Sequence, residues 1–345
     1  MRLCTFEVTT LLGRFERLGA VFPNDFIMDL NAAYAWLLHK RGQPHPNRFA
    51  DVIVPPDILR FLEGGKRCME AASEVVQAAN ALSLDAQLGL CGPRGETVFF
   101  QMANVRLKAA VPRPASLRDF LAFEEHAKRG AARRKEELIA DWYEVPVYYK
   151  GNHRAIYGPE DEIPWPSYTK KFDFECEIAC VIGLEGRNIK VADALDHVAG
   201  YMLLNDFSAR DIQRIEMMSR MGPAKGKDFA TAFGPHLITS DEMREPPADM
   251  RMIVRVNEGE WSQGRYGDRY WSFAQMISHV SQEETLYPGD VFGCGTFFTG
   301  CGMDLDRWVK PGDVVELESE NLGILRNKVG KPKSDKPLRF PRKNA

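Results

Sequence analysis

The eight residues Asp173-Phe174-Glu175-Cys176-Glu177-Ile178-Ala179-Cys180 constrain this chain more than any other stretch. Phe174, Cys176, Ile178 and Cys180 alternate with Asp173, Glu175, Glu177 and Ala179, a period of two that predicts a β-strand. Glu175 and Glu177 then share one face, with Cα atoms roughly 6–7 Å apart at strand rise. Val181 and Ile182 follow, so the two carboxylates border an apolar run. Two readings are open. Either both glutamates meet water on an outer face, or they are buried, where like charges repel and lose hydration. A hard divalent ion bound through oxygen, Mg2+ or Ca2+, relieves both costs of the second reading.

The chain has 345 residues, enough for one large or two ordinary domains. With 45 basic against 48 acidic residues, it offers no electrostatic case for a nucleic acid or an anionic membrane as partner. Small metabolites remain. Seven scattered cysteines without a C-x-x-C motif read as reduced thiols of a cytoplasmic protein. The opening Met1-Arg2-Leu3-Cys4-Thr5-Phe6-Glu7-Val8 lacks a signal-peptide core, and no run approaches the ~18 apolar residues of a membrane span.

Residues 1–110 read as a small N-terminal α/β domain without a catalytic constellation. Leu3 to Val8, Gly19 to Phe22 and Asp25 to Leu30 are predicted strands. Asn31 is positioned to cap a helix, and Pro55-Pro56-Asp57 opens another. Val111-Pro112-Arg113-Pro114 is a stiff connector, taken as the boundary of a domain over 111–330. Ser116 is then expected to cap a helix from Leu117 to Arg129, with Asp119 as its capping-box partner. On that helix Asp119 and His126, seven apart, share a face. Read locally, Asp119 is only a cap and His126 an exposed histidine beside Glu124 and Glu125.

Ala131 to Asp141 is heavily charged, a solvated face or a mobile lid. Gly200 to Phe207 reads as a buried strand with Asp206 at its tip, and Ser208 with Asp211 as the capping box of the next helix. Arg210 lies in that helix's first turn, where the dipole disfavours a cation. It either awaits an anionic ligand or pairs with Asp206 or Asp211. Gly222 to Asp228 resembles a phosphate loop only superficially, because Asp228 stands where Ser or Thr would bind Mg2+. In the last third, Phe273 to Val280 reads as a helix. Two strand–Pro-Gly–strand repeats surround Pro288-Gly289 and Pro311-Gly312. Residues 331–345 form a basic tail.

Glu175-x-Glu177, Asn205-Asp206-Phe207-Ser208-Ala209-Arg210-Asp211 and Gly226-Lys227-Asp228-Phe229 together resemble the fumarylacetoacetate hydrolase family, over residues 105 to 330. The resemblance implies an α+β, β-dominated fold, a mixed β-sandwich roll, usually dimeric and binding Mg2+, with Mn2+ or Ca2+ as alternatives. Residue by residue, it implies Asp119, Glu175, Glu177, Asp206 and Thr231 at the metal. It implies His126 and Lys227 in catalysis, and Arg210, Gln213 and Tyr149 against a small keto-acid substrate. The implied activity is metal-dependent cleavage of a carbon–carbon bond in a 1,3-diketo acid, in aromatic compound catabolism. In it His126 activates water, Lys227 stabilises the oxyanion, and Arg210 clamps a carboxylate. Decarboxylation, tautomerisation and hydration of β-keto acids are the family's other reactions, and a non-catalytic, metal-stabilised binding module is the alternative outside catalysis. One departure stands out. The family's histidine is oriented by a glutamate three residues on or in a C-terminal Gly-Pro-Glu loop. Here Arg129 and the acid-free Gly295 to Gly302 occupy those places, leaving Glu124 or Glu125 as substitutes.

Overall fold

The computed structural model describes residues 1–333, so the expected tail falls, from residue 334 onward, outside the described residues. At the centre is the strand Cys176–Ile182, all seven residues of it buried. It is covered on both faces. Cys176, Ile178, Cys180 and Ile182 pack into one core with Met252, Val254, Leu317 and Leu325. Ala179 and Val181 pack into another with Phe61, Ala72 and Val75. The period of two is present, but it divides the strand between two cores instead of between core and water. Glu177 has the parity of Ala179 and Val181.

The architecture is α+β and strand-dominated. Among the described residues it comprises a 12-stranded mixed sheet, a 5-stranded sheet and a two-stranded ladder. Thr231–Thr239, Val198–Asp206, Cys176–Ile182, Asp290–Gly293, Ser116–Phe120 and Tyr148–Lys150 lie side by side in that order in the large sheet. Arg2–Thr10 pairs with Thr231–Thr239 through Arg2↔Ile238 and Leu3↔Leu237, so strands from the first 110 residues extend this sheet. The helices Leu30–Lys40, Ile58–Glu63 and Gly65–Asn80 supply the core on its outer face. The 5-stranded sheet and the helix Phe273–Val280, opened by a Ser272–Gln275 capping box, supply the other. Of the two Pro-Gly repeats, the second limbs form ladder strands, Asp290–Gly293 and Val314–Ser319. Gly289 and Gly312 turn at φ of +89° and +94°, where a side chain would be strained.

Four local expectations are corrected. Ser116–Phe120 is a strand, parallel to Asp290–Gly293, and the helix begins only at Glu124. The stretch from Leu117 to Phe123 is buried except for half-buried Leu121, with Arg118 and Asp119 buried among its apolar residues, and periodicity cannot separate a buried strand from a helix over such a length. Asp119 therefore caps nothing and shares no helix with His126. Ser208 does not cap Arg210–Met218 either. Ser208–Ala209 pairs with Phe172–Asp173, while Asp211 accepts from the Thr169 hydroxyl and the Lys170 amide. The cap of Leu30–Lys40 is Asp29, which accepts from the Ala32 amide at 3.0 Å, and not Asn31. Last, the strand predicted from Asp173 is interrupted. Asp173 Oδ1 accepts from the Phe174 amide and from the Gly302 amide, which turns the backbone out of the ladder before Cys176.

His236, on Thr231–Thr239, is 8% exposed and its Nε2 has no hydrogen-bond partner. Burial, with the nearby Arg2 charge, pushes its pKa down to about 4. A histidine that stays neutral when folded but takes a proton when unfolded favours the unfolded chain below its free pKa. Stability conferred by the neutral ring is complete above pH 6.5 and is lost as the pH falls toward 4. Over that window the wild type should lose of the order of 3 kcal/mol relative to His236→Gln. Paired urea titrations of both proteins between pH 7 and 4 measure the difference, and parallel curves would contradict it.

Candidate active site

Adjacent strands bring four carboxylates to one place. Asp119 comes from Ser116–Phe120, Glu177 from Cys176–Ile182, and Asp206 from the end of Val198–Asp206. Glu175 comes from the interruption just before Cys176, where it bridges to Cys301. One oxygen from each lies within 4.8 Å of the others, and all four residues are buried. Gly293, on the strand between Asp119 and Glu177, makes the approach possible. A Cβ there would stand 2.5 Å from Asp119 Oδ1 and 2.9 Å from Glu177 Oε2.

The eight carboxylate oxygens are unequally satisfied. Glu175 uses both, Oε1 accepting from Arg210 Nη2 at 2.7 Å and Oε2 from Lys227 Nζ at 2.6 Å. Asp206 Oδ2 accepts from Lys227 Nζ at 2.5 Å and from the Tyr149 hydroxyl at 2.7 Å. Glu177 Oε2 accepts from the Gly295 amide at 2.9 Å. Asp119 Oδ1, Glu177 Oε1 and Asp206 Oδ1 are buried with no partner. Three strands thus each contribute one unsatisfied oxygen to the carboxylate cluster, an arrangement suited to a small cation.

The electrostatics follow. Burial, reinforced by the neighbouring Asp206 charge, raises the Asp119 carboxyl well above its ordinary value. Burial and the adjacent Asp119 raise Glu177 likewise. Glu175 is the exception. Burial would raise it, but the Arg210 and Lys227 charges outweigh that and hold it below the usual carboxylate range. Lys227 is raised, because Asp206 and Glu175 overcome the desolvation that opposes its charge.

Among the other residues singled out in the sequence, Tyr149 and Gln213 line the cavity beside this cluster. Gln213 accepts from Arg210 Nη1 at 2.9 Å. Arg210 Nε also donates to Asp173 Oδ2 at 2.7 Å, so the guanidinium is spread over the protein's own groups, and its carboxylate partners are Asp173 and Glu175 rather than Asp206 or Asp211. Thr231 is buried, opposite Asp206 in the strand ladder, and is not among the residues lining the cavity.

His126 stands in the first turn of the helix Glu124–Arg133 and reaches the cluster from outside the sheet. Its Nε2 is 3.9 Å from Glu175 Oε1, and its Nδ1 is 2.7 Å from Asp304 Oδ2. An ionised carboxylate only accepts, so the pair places a proton on Nδ1, and Nε2 is the ring nitrogen turned toward the cluster. Asp304 is the residue that sequence reasoning missed. It sits two positions past the acid-free Gly295 to Gly302 loop, in the short helix Gly302–Leu305 that folds it back under His126. Neither expected substitute performs this role. Glu124 accepts from the Tyr143 hydroxyl and pairs with Lys128, and Glu125 pairs with Lys128.

The site opens into a cavity of about 900 Å³. Asp119, His126, Glu175, Arg210 and Lys227 are at its polar end, and Leu138, Ile215, Met218, Met303 and Trp308 line its apolar wall. Arg133 and Arg134, from the charged stretch after His126, also face it. No helix among the described residues is long and apolar enough to cross a membrane. All seven cysteines are free thiols.

Comparison with known proteins identifies the family and the fold. A family model described as "Fumarylacetoacetate (FAA) hydrolase C-terminal" matches residues 116–330. The mitochondrial oxaloacetate tautomerase FAHD2A of Homo sapiens is 32% identical over 288 residues, 81% of each chain. Its Bos taurus counterpart is 33% identical over 339 residues, 95% of this chain and 91% of that one. Among solved structures, the fumarylacetoacetate hydrolase of Exiguobacterium antarcticum shares the fold at a TM-score of 0.67 and 22% identity, covering 96% of this chain and 99% of that one. The maleylpyruvate hydrolase of Sphingobium sp. SYK-6, in complex with manganese(II) and pyruvate, does so at 0.66 and 22%, with the same coverage. The chain is an enzyme of the fumarylacetoacetate hydrolase family.

Proposed function

We propose that this enzyme is divalent-metal-dependent and moves a proton within a 2-oxo dicarboxylic acid, interconverting the keto and enol forms of an oxaloacetate-type substrate. The His126–Asp304 pair, with Nε2 turned toward the carboxylate cluster, carries this reading. The relatives at 32–33% identity, whose names give that activity, support it.

Asp119, Glu175, Glu177 and Asp206 would hold the ion, Mg2+ or Mn2+ by the hardness of their oxygens. The three partnerless oxygens are what such an ion would satisfy. When bound, it supplies Lewis-acid polarisation of the substrate's 2-oxo group. Thr231, opposite Asp206 in the antiparallel ladder and therefore on the same sheet face, would stand beside the ion's carboxylates in this scheme. Asp304 keeps the proton on Nδ1, so His126 Nε2 can remove a proton from the carbon between the two carbonyls and return it to the 2-oxo oxygen. Lys227, Arg210 and Tyr149 fix the carboxylates, and Gln213 steadies Arg210.

Hydrolytic cleavage of a 1,3-diketo acid is the second reading, favoured by the same dyad, which would equally activate water. Lys227 is held by Glu175 and Asp206, and Arg210 by Asp173 and Glu175, so in either reading the bound ion would carry the developing negative charge on oxygen. The activity named for the relatives at 32–33% identity supports proton transfer over hydrolysis.

Interconversion of oxaloacetate forms, followed by enol absorbance, should require added Mg2+ or Mn2+ and cease with EDTA. His126→Ala should lower kcat about 10²–10⁴-fold. Asp304→Asn should lower kcat roughly 10–100-fold with KM nearly unchanged, because the ring loses its tautomer and not its substrate. Cleavage of an acylpyruvate without tautomerase activity would replace the first reading by the second. Indifference of both activities to EDTA and to His126→Ala would refute both.

The crowded carboxylates predict a trade between stability and ion binding. In EDTA, Glu177→Gln should raise Tm by a few °C, the equivalent of about 1–2 kcal/mol, because a buried like charge is removed. Saturating Mg2+ should raise the wild-type Tm and leave the variant's almost unmoved. Equal shifts in both proteins, read by differential scanning calorimetry, would place the ion elsewhere.

A further inference from the structure

A second group of donor atoms lies behind the first. His126, Cys301 and Asp304 each place one ligand atom within 4.8 Å of the others. The Cys301 thiol is fully buried and free. The Asp304 side chain is 0% exposed. Its Oδ2 meets His126 Nδ1, but Oδ1 has no hydrogen-bond partner among the described residues. A buried carboxylate with one oxygen unanswered, beside an imidazole and a thiol, is an unfinished coordination set.

The chemistry differs from that of the four carboxylates. Oxygen alone suits Mg2+, Mn2+ or Ca2+, whereas nitrogen, sulfur and oxygen together suit Zn2+ and similar borderline-soft ions. We propose that His126, Cys301 and Asp304 form a separate inhibitory site for a Zn2+-class ion, through which such an ion switches the enzyme off while the hard-ion site stays filled.

Binding through Nδ1, Sγ and an Asp304 oxygen leaves the fourth tetrahedral position to water. The Cys301 thiol gives up its proton to solvent and coordinates as thiolate. The Nδ1 proton is replaced by the metal, and Nε2 takes up a proton, so the imidazole remains neutral. One proton is released per ion bound. Nε2 now carries hydrogen and has no lone pair toward the carboxylate cluster. The base is silenced without displacement of substrate or of the catalytic ion. This inhibitory consequence rests on His126 being the base, as proposed above, while the site itself does not.

The full-length protein, saturated with Mg2+, is titrated with Co2+ as an optical probe and with Zn2+ in parallel. One equivalent of Co2+ should produce a thiolate-to-cobalt charge-transfer band in the near ultraviolet. One proton per Zn2+ should appear in a weakly buffered indicator assay. Cys301→Ser should lose the band and weaken Zn2+ inhibition about tenfold or more, while its rate without Zn2+ matches the wild type. Cys301→Ala provides the same comparison should the serine variant not fold. Absence of the band in the wild type, or its survival in both variants, overturns the site. A band that depends on Cys301 but brings no inhibition overturns the switch and leaves the metal site in place, whereas the assignment of His126 as base is decided separately by the rate of His126→Ala.

Discussion

Like charges forced together out of water organise this molecule. Four buried carboxylates within 4.8 Å cannot all be ionised unless something positive is placed among them. The fold provides two cations, and both go to one side. Lys227 and Arg210 satisfy Glu175 completely and Asp206 in part, leaving one free oxygen on each of Asp119, Glu177 and Asp206. A single divalent ion among those oxygens would complete the neutralisation. The absence of a side chain at Gly293 is part of the same design, because any Cβ there would occupy the space the oxygens share.

Asp173 connects the cluster to the dyad. It receives Arg210 Nε, and it also accepts from the amides of Gly302 and Met303 at 2.8 and 3.0 Å. Those amides begin the short helix that carries Asp304. One buried carboxylate therefore positions both the arginine that fixes Glu175 and the helix that brings Asp304 to His126.

Much of the site is legible in the sequence, because strand parity and a specific motif are local properties. Glu177 and Asp206 lie on strands where alternation and the Asn205 to Asp211 segment place them, whereas Glu175 joins them from the break before Cys176. Asp119 reaches the site as a strand residue facing the cluster, and not as part of a helix shared with His126. The Leu117 to Phe123 stretch is too short for periodicity to tell a buried strand from a helix. The capping pairs Ser116–Asp119 and Ser208–Asp211 mislead for a related reason. Ser and Asp serve turns and ladders as readily as caps, and distant partners such as Thr169 decide which.

By itself the sequence determined the chemical inventory: two glutamates of one parity, an aspartate at a strand tip, a histidine, and a lysine near a buried strand. These follow from side-chain alternation and from the types of group present, which neighbours along the chain suffice to define. Only the tertiary structure decided that both faces of the central strand are covered, that Arg210 answers Asp173 and Glu175, and that Asp304 orients His126. Each of those depends on residues far apart in sequence meeting across strands and helices, and no local pattern encodes which distant group will supply a hydrogen bond that burial makes obligatory.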